Sequence, residues 1–256
     1  MNLAQQFLES GYAVMPADHS APLERLRGEI FARAKEIFGH QGNDAASFFN
    51  QFHARDVRGA ALNELRVKLI QDCNAGVDSA ALIFAAFRET VVELLGPDLL
   101  VQKNTNLVIQ QPGDPNPSEV HRDAPANSPY EIVVWVPLVD CYRSKCLYVC
   151  PRQVTEEALR LLDTTAKNDW AQFEQFCLQH GREPEVPFGS ALLFWPGLFH
   201  GSRLNREQET RWSLNMRFKN LFSPAGLKEP FEFFKVLQLS PLAKLAIDFQ
   251  KREVFG

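Results

Sequence analysis

Arg211-Trp212-Ser213-Leu214-Asn215-Met216-Arg217-Phe218 alternates polar and apolar side chains at every position. Successive side chains of a β-strand point to opposite faces. The stretch therefore reads as a strand with Arg211, Ser213, Asn215 and Arg217 on one face and Trp212, Leu214, Met216 and Phe218 on the other. A polar face of this kind usually meets bulk water. Here the surrounding sequence is among the most apolar of the chain, and the charges are arginines, whose planar fork suits carboxylates. The sharper reading is a polar lumen lined for an anion. The segment from Val101 to Gln110 behaves alike: Gln102, Asn104, Asn106 and Gln110 fall on one face, where amides must meet water or a polar ligand.

The strand belongs to a β-rich region. From Leu99 to Phe222 the chain is rich in β-branched and aromatic residues, with turn signals at 112–115, 124–127, 187–189 and 204–206. A helical insertion over 155–180 interrupts it. Upstream, Leu23, Leu26, Ile30, Ala34 and Ile37 recur at steps of three and four, the mark of an amphipathic helix, and a second helical stretch runs from about Ala60 to Leu95 with a break near Ala75-Gly76. A short helix and a brief strand, Tyr12 to Met15, precede them. After Pro224 the chain is expected to return to helix, with Phe231, Phe233, Phe234, Leu237, Leu239 and Leu242 supplying apolar faces. This order predicts a mainly β core, a small barrel or double-layered roll backed by helices. One domain over 1–256 is the simplest division: helical support at 1–98, the β-roll at 99–222 and a helical segment at 223–256.

Composition narrows the function classes. With 45% apolar and 23% charged residues over 256 positions, the chain has globular proportions. Its net charge is −4 and its basic residues do not cluster, so neither nucleic acid nor an anionic membrane is an expected partner. No basic segment leads into an apolar run after Met1, and the apolar runs at 132–139 and 191–199 are too short to span a bilayer, which predicts a cytoplasmic protein. Five cysteines, an odd number with no Cys-x-x-Cys pair, read as free thiols rather than as disulfides or a zinc site.

The chemistry centres on histidine. In His121-Arg122-Asp123 the imidazole and the carboxylate stand at i and i+2, so on an extended segment both can reach one ion. Alone, such a pair means little. His200 follows a nearly apolar run from Gly189 to Phe199 and ends it abruptly with Gly201-Ser202. Two histidines and one carboxylate form the facial set that leaves open positions on Fe(II) for a chelating cosubstrate and O2. Arg211 lies 11 residues after His200, with a turn at about 204–209 between them. An antiparallel hairpin would set Arg211 beside the histidine strand, where a chelating 2-oxo acid would place its distal carboxylate. Ser202, two residues after His200, adds a hydroxyl on the same side.

These residues resemble the phytanoyl-CoA hydroxylase-like branch of the Fe(II)/2-oxoglutarate oxygenases. Phe7-Leu8-Glu9-Ser10-Gly11-Tyr12-Ala13-Val14 looks like the family's opening helix and strand, Ile132 to Asp140 like the strand after its first motif, and Gly189 to Phe194 with His200-Gly201-Ser202 like its distal-histidine strand. The resemblance implies a double-stranded β-helix (jelly roll) with N-terminal, inserted and C-terminal helices. It implies Fe(II) held by His121, Asp123 and His200, and 2-oxoglutarate as cosubstrate. Arg211 and Ser202 would hold its distal carboxylate, and Gln102 and Asn106 would steady its C1 end. A looser likeness, through Ser128-Pro129-Tyr130-Glu131 and Val139-Asp140-Cys141-Tyr142, is to oxygenases of bacterial surface-carbohydrate gene clusters. The chain departs from its relatives at Pro151-Arg152-Gln153, where they often carry Gly-Ser-His, so the family's fatty-acyl substrate does not carry over.

The expected activity is a dioxygenase that hydroxylates a polar small molecule, such as a sugar or sugar conjugate, and releases succinate and CO2. Asp123 favours hydroxylation, since related halogenases replace that carboxylate by a small residue. Asn104, Arg122, Tyr130, Trp135 and Arg217, with the 151–187 segment, are the candidate substrate contacts. Trp135 also suits a plain core position, and Arg122 a surface ion pair. A cupin-type metal-binding isomerase or a sugar-binding protein without oxygenase activity is the alternative. It leaves the Arg211 spacing and Ser202 as coincidences. A third reading is a β-roll with no metal.

Overall fold

The computed structural model describes residues 2–124, 126–164, 169–227 and 230–253. The N-terminal third is helical, as its apolar spacing demands. α1 (Leu3–Ser10) is capped by the Asn2 side chain, which accepts from the Gln5 N–H, and it ends at Gly11 in the left-handed region, φ 78°. β1 (Tyr12–Pro16) follows, and then α2 (Ala21–Phe38), which buries Leu23, Leu26, Ile30, Phe31 and Ala34. The second helical stretch is three helices, α4 (Gly59–Gly76), α5 (Ser79–Ala86) and α6 (Arg88–Leu95), preceded by a short α3 (Ala45–Asn50) and a 3-10 turn at Phe52–Arg55.

The core is a mainly antiparallel β structure. β2 (Leu99–Gln102), β3 (Asn106–Gln110), β4 (Glu131–Pro137), β6 (Ser190–Phe194), β8 (Arg211–Asn220) and β9 (Phe234–Gln238) join β1 in a seven-stranded sheet. Its order is β1-β6-β4-β8-β2-β9, with β3 also pairing β8. β5 (Leu147–Val149) and β7 (His200–Ser202) form a second, two-stranded sheet. Between β5 and β6 lie α7 (Arg152–Thr164) and α8 (Trp170–His180); α9 (Pro230–Phe233) and α10 (Pro241–Glu253) flank β9. No described helix is long and apolar enough to cross a membrane, and all five cysteines are buried free thiols.

The alternation in β8 explains how the layers assemble. Trp212, Leu214, Met216 and Phe218 are buried in the cluster that packs the large sheet on the helices. Phe48, Phe49 and Phe52 surround Trp212 with ring centroids 6.0, 4.8 and 5.1 Å away. Burying each such side chain is worth about 1.5–3 kcal/mol. The polar face of β8 therefore turns inward, toward the second sheet. A second apolar cluster joins the sheets there: Val133 and Trp135 of β4 and Leu192 and Phe194 of β6 meet Leu147 and Val149 of β5. A third, built on Tyr148, Phe173, Cys177 and Phe199, seats the inserted helices behind the small sheet.

Four expectations are corrected. The stretch 101–110 is not one strand, because it breaks at 103–105, where the Asn74 side chain binds both the N–H and the carbonyl of Thr105. The segment after Pro224 is not all helix: 234–238 is a strand that extends the large sheet through β2, so the sheet reaches past residue 222. No hairpin joins β7 and β8. β7 pairs β5, β8 pairs β2, β3 and β4, and residues 203–210 cross between the sheets. Asn205 organises that crossing, donating to the Glu209 and Gln110 carbonyls and accepting from the Glu207 N–H. The inserted helices also begin earlier than expected, at Arg152.

Candidate active site

Backbone pairing brings the two histidines together. The His121 N–H donates to the His200 carbonyl at 3.0 Å and the His200 N–H returns a bond to the His121 carbonyl at 2.9 Å. Above and below, the Ala124 N–H binds the Pro196 carbonyl and the Ser202 N–H binds the Ser118 carbonyl, so residues 118–124 lie along 196–202. Gly201 permits this closeness, since a Cβ there would meet the Ser118 carbonyl oxygen at 2.9 Å. The two imidazoles stand with centroids 4.3 Å apart, and Asp123, two residues on, turns to the same side.

The ligand atoms of His121, Asp123 and His200 all lie within 4.8 Å of one another. His121 Nε2 is 3.9 Å from Asp123 Oδ1, and His200 Nε2 is 4.0 Å from Asp123 Oδ2. Each Nδ1 sits against a backbone carbonyl, that of Glu119 at 2.8 Å for His121 and that of Leu198 at 3.0 Å for His200. In the neutral tautomer Nδ1 donates to that carbonyl, which leaves the Nε2 lone pair aimed into the cluster. Burial pushes the His200 imidazole down to about 4, so it stays neutral at pH 7 as a metal ligand requires. Burial alone would raise the Asp123 carboxyl, but the Arg217 guanidinium and the nearby histidines outweigh it and hold Asp123 below its ordinary value. His200 is buried and its ring meets Phe194 at 4.8 Å, whereas the His121 side chain is 46% exposed, so the cluster opens to solvent on the His121 side. Two imidazoles and one carboxylate fit a divalent iron and leave positions for other ligands.

Beyond the cluster lies a buried guanidinium. Arg211 is 4% exposed and donates from Nη2 to Ser202 Oγ at 3.0 Å. Its Nε and Nη1 are buried with no partner, and no ion pair neutralises it among the described residues. Burial depresses its basicity, and the Cys141 and Cys146 thiols are its close neighbours. A desolvated cation with two orphaned donors calls for an anion that the folded chain itself does not supply. Along the same face Ser213 Oγ and Asn215 Oδ1 are also buried without partners, as is Gln110 Oε1 opposite Arg211 on β3. The alternation of the sequence places these three on the polar faces of their strands but gives them no role in the site.

The remaining candidates divide. Arg217 binds inside the cluster itself, donating from Nη2 to Asp123 Oδ2 at 2.8 Å and from Nη1 to Gln102 Oε1 at 3.2 Å. Gln102 is thereby tied to the site, and its Nε2 donates to the Asn104 carbonyl at 2.6 Å. Asn106 is exposed on the inward face of β3, opposite Asn215. Trp135 is 2% exposed and sits in the apolar cluster between the sheets. Arg122 is turned away from the cluster. Its guanidinium stacks 5.0 Å from the Phe199 ring and makes no ion pair among the described residues. Tyr130 is exposed, its N–H held by Ser128 Oγ. A cleft of about 690 Å³ has Glu119 and Ser202 in one wall and Glu174 and Leu178 of α8 in another.

The sequence matches the family model described as phytanoyl-CoA dioxygenase (PhyH) over residues 7–213. No curated protein matches it. Among solved structures the chain is similar to the non-heme monooxygenase ThoJ in its nickel complex, at 17% identity and TM-score 0.57, covering 94% of this chain and 86% of that one. It is similar to apo EctD from S. alaskensis at 16% identity and TM-score 0.56, covering 92% and 84%. It is also similar to SnoK, the non-heme alpha ketoglutarate dependent carbocyclase of nogalamycin biosynthesis, at 15% identity and TM-score 0.55, covering 94% of both chains. At such identities the likeness is one of fold. The family match, which spans most of the chain, joins the His-Asp-His grouping in a single conclusion: this protein belongs to the phytanoyl-CoA dioxygenase (PhyH) family and is an oxygenase with iron and 2-oxoglutarate as its cofactors.

Proposed function

We propose that the two sheets are the halves of a double-stranded β-helix, in one domain, which hydroxylates a polar small molecule such as a sugar or sugar conjugate. His121, Asp123 and His200 are the iron ligands in this reading. The observation that carries it is Arg211. A guanidinium buried among apolar side chains, bonded to Ser202 and with two donors unused, suits the distal carboxylate of 2-oxoglutarate. Iron and 2-oxoglutarate, when bound, would supply the oxidation, with O2 consumed and succinate and CO2 released.

The chain's own residues do the rest. The Glu119 and Leu198 carbonyls keep the two imidazoles in the metal-binding tautomer. Gln102 and Asn106 face the C1 end of the cosubstrate. Asn104, Tyr130 and Arg217, with the insertion, meet the substrate at the side where His121 is exposed. Arg122 and Trp135 take supporting roles, Arg122 by covering Phe199 and Trp135 by filling the space between the sheets. Polar side chains around that opening favour a hydroxylated or anionic substrate over a hydrocarbon.

Anaerobic addition of 2-oxoglutarate to the Fe(II) protein tests the reading. Chelation is expected to give a weak visible charge-transfer band, abolished by excess succinate and much weakened in Arg211→Gln. Absence of the band in the Fe(II)-loaded wild type would sink it. A screen of sugars and sugar conjugates, scored by substrate-dependent succinate release, then identifies the substrate class.

A further inference from the structure

A lysine is almost never buried completely unless its charge is met, and Lys145 is 0% exposed. It has no part in the chemistry described above. Its Nζ donates to Glu209 Oε2 and to Asn50 Oδ1, both at 2.8 Å. It also stands 5.5 Å from the centre of the Tyr142 ring, whose hydroxyl donates to the same Glu209 oxygen at 3.2 Å. The charge is thus satisfied within the fold, unlike that of Arg211. A buried ion pair adds little net stability over apolar side chains of the same volume. What it can add is a fixed geometry.

Glu209 stands two residues before Arg211, and the chain between them is held at each step. The Glu209 side chain is bound by Lys145, its carbonyl accepts from Asn205 Nδ2 at 2.9 Å, and the Thr210 N–H donates to the Asn50 carbonyl at 2.8 Å. Asn50 therefore holds Lys145 through its side chain and Thr210 through its backbone. Arg211 comes next and opens β8. On the other side, Lys145 stands two residues before Leu147 of β5, which pairs with Ser202, the residue that Arg211 bonds. The Lys145–Glu209 bond closes this circuit, setting the backbone of the arginine against the strand that carries His200 and Ser202. Because the Arg211 guanidinium makes a single hydrogen bond at its tip, its place depends on where its backbone is held.

We propose that Lys145, Glu209 and Asn50 are positioning residues for the cosubstrate. Their bonds hold the two residues that precede Arg211 and so place its guanidinium to meet the distal carboxylate of 2-oxoglutarate. This rests on the reading of Arg211 as the anchor of that carboxylate.

Calorimetric titration of 2-oxoglutarate into the Mn(II)-loaded full chain under argon tests it. Lys145→Met combined with Glu209→Gln removes both charges together, so neither is stranded, and the glutamine still accepts from Tyr142. This variant should bind 2-oxoglutarate about tenfold more weakly than wild type, with Mn(II) affinity in equilibrium dialysis unchanged. Made in an Arg211→Met background, the same two substitutions should change the affinity by less than about twofold, because their effect passes through the arginine. Asn50→Ala, which removes one acceptor of Lys145 and leaves the ion pair, should show the same pattern at smaller amplitude. It decides if the double variant fails to fold. Wild-type affinity in these variants, whatever their melting temperature, overturns the inference and makes the cluster a purely structural one. An equal loss with and without Arg211 also overturns it. A wild type that does not bind 2-oxoglutarate, or an Arg211→Met protein that binds it as wild type does, removes the anchor reading itself and this inference with it.

Discussion

Replacing Arg211 by methionine separates a cosubstrate anchor from a structural arginine, because the two roles predict stability changes of opposite sign. Arg211 is 4% exposed, makes one hydrogen bond to Ser202 and leaves Nε and Nη1 unpartnered. The folded protein alone thus carries the desolvation cost of a cation with little return. Substituting a buried, unneutralised charge by an apolar side chain of similar length is neutral to stabilising. Thermal unfolding without 2-oxoglutarate should occur at the same temperature in Arg211→Met or higher. The cosubstrate changes the comparison. A ligand at 100 times its Kd adds about 2.7 kcal/mol, which for a chain of this size raises Tm by roughly 5–10 °C. Losing a charge-assisted contact of about 1.5–3 kcal/mol weakens 2-oxoglutarate about 10- to 140-fold and removes from about half to nearly all of that rise. The assay is differential scanning fluorimetry under argon with Mn(II) in place of iron, with and without 2-oxoglutarate, backed by calorimetric titration. An Arg211→Met protein that unfolds several degrees early by itself, yet keeps the full 2-oxoglutarate shift, would refute the assignment and make Arg211 a packing residue.

Asp123→Ala should abolish succinate release and weaken Mn(II) binding in equilibrium dialysis by at least a hundredfold, since it removes the only carboxylate of the cluster among the described residues; undiminished turnover would exclude Asp123 from the ligand set. Arg217→Met should destabilise the metal-free protein by about 3 kcal/mol, because it strands Asp123, whose side chain is only 12% exposed, without its counterion. Saturating Mn(II) should recover most of that loss in urea unfolding, a cation taking the place of the guanidinium; a deficit unaffected by metal would show that Arg217 acts through packing. Gly201→Ala puts a methyl 2.9 Å from both the Ser118 carbonyl oxygen and the Tyr148 hydroxyl. It should cost about 1–3 kcal/mol and loosen metal binding, because it prises residues 118–121 from the His200 strand.

Side-chain alternation made much of the interior legible in advance. The period-two pattern of 211–218 sorts Trp212, Leu214, Met216 and Phe218 toward the helices and Arg211, Ser213, Asn215 and Arg217 toward the second sheet, as the structure has them. What lay beyond reach was long-range pairing. Nothing local says that Arg217 meets Asp123 from 94 positions away, or that the fully buried Lys145 is satisfied by Glu209 and Asn50. The carbonyls of Glu119 and Leu198 carry no side-chain signal at all, although they set both histidine tautomers. β9 was missed because Phe231, Phe233, Phe234 and Leu237 fit a helix as well as a strand until β2 is known to offer it an edge. The hairpin expected between His200 and Arg211 failed for a similar reason. The spacing allowed a return along β7, and only Asn205, with bonds to Gln110 on another strand, turns the chain across to the large sheet.

That failure bears on how the site works. Had β7 and β8 paired directly, the His-Asp-His grouping and the buried Arg211 guanidinium would share one hydrogen-bonded ladder. Instead the histidines belong to residues 118–124 and 196–202, laced together by backbone bonds, while Arg211 begins a strand of the other sheet. Within the described contacts the two halves meet through the Arg211–Ser202 bond, the Arg217–Asp123 ion pair and the apolar cluster of Trp135, Phe194, Leu147 and Val149. The distance from the His-Asp-His grouping to the Arg211 guanidinium, which in the proposed reading decides whether a five-carbon diacid can lie between them, is therefore set by packing between sheets rather than by covalent proximity. A change in the volume of that cluster should thus alter 2-oxoglutarate affinity, if Arg211 holds it, while leaving His121, Asp123 and His200, held by their own backbone bonds, in register with one another.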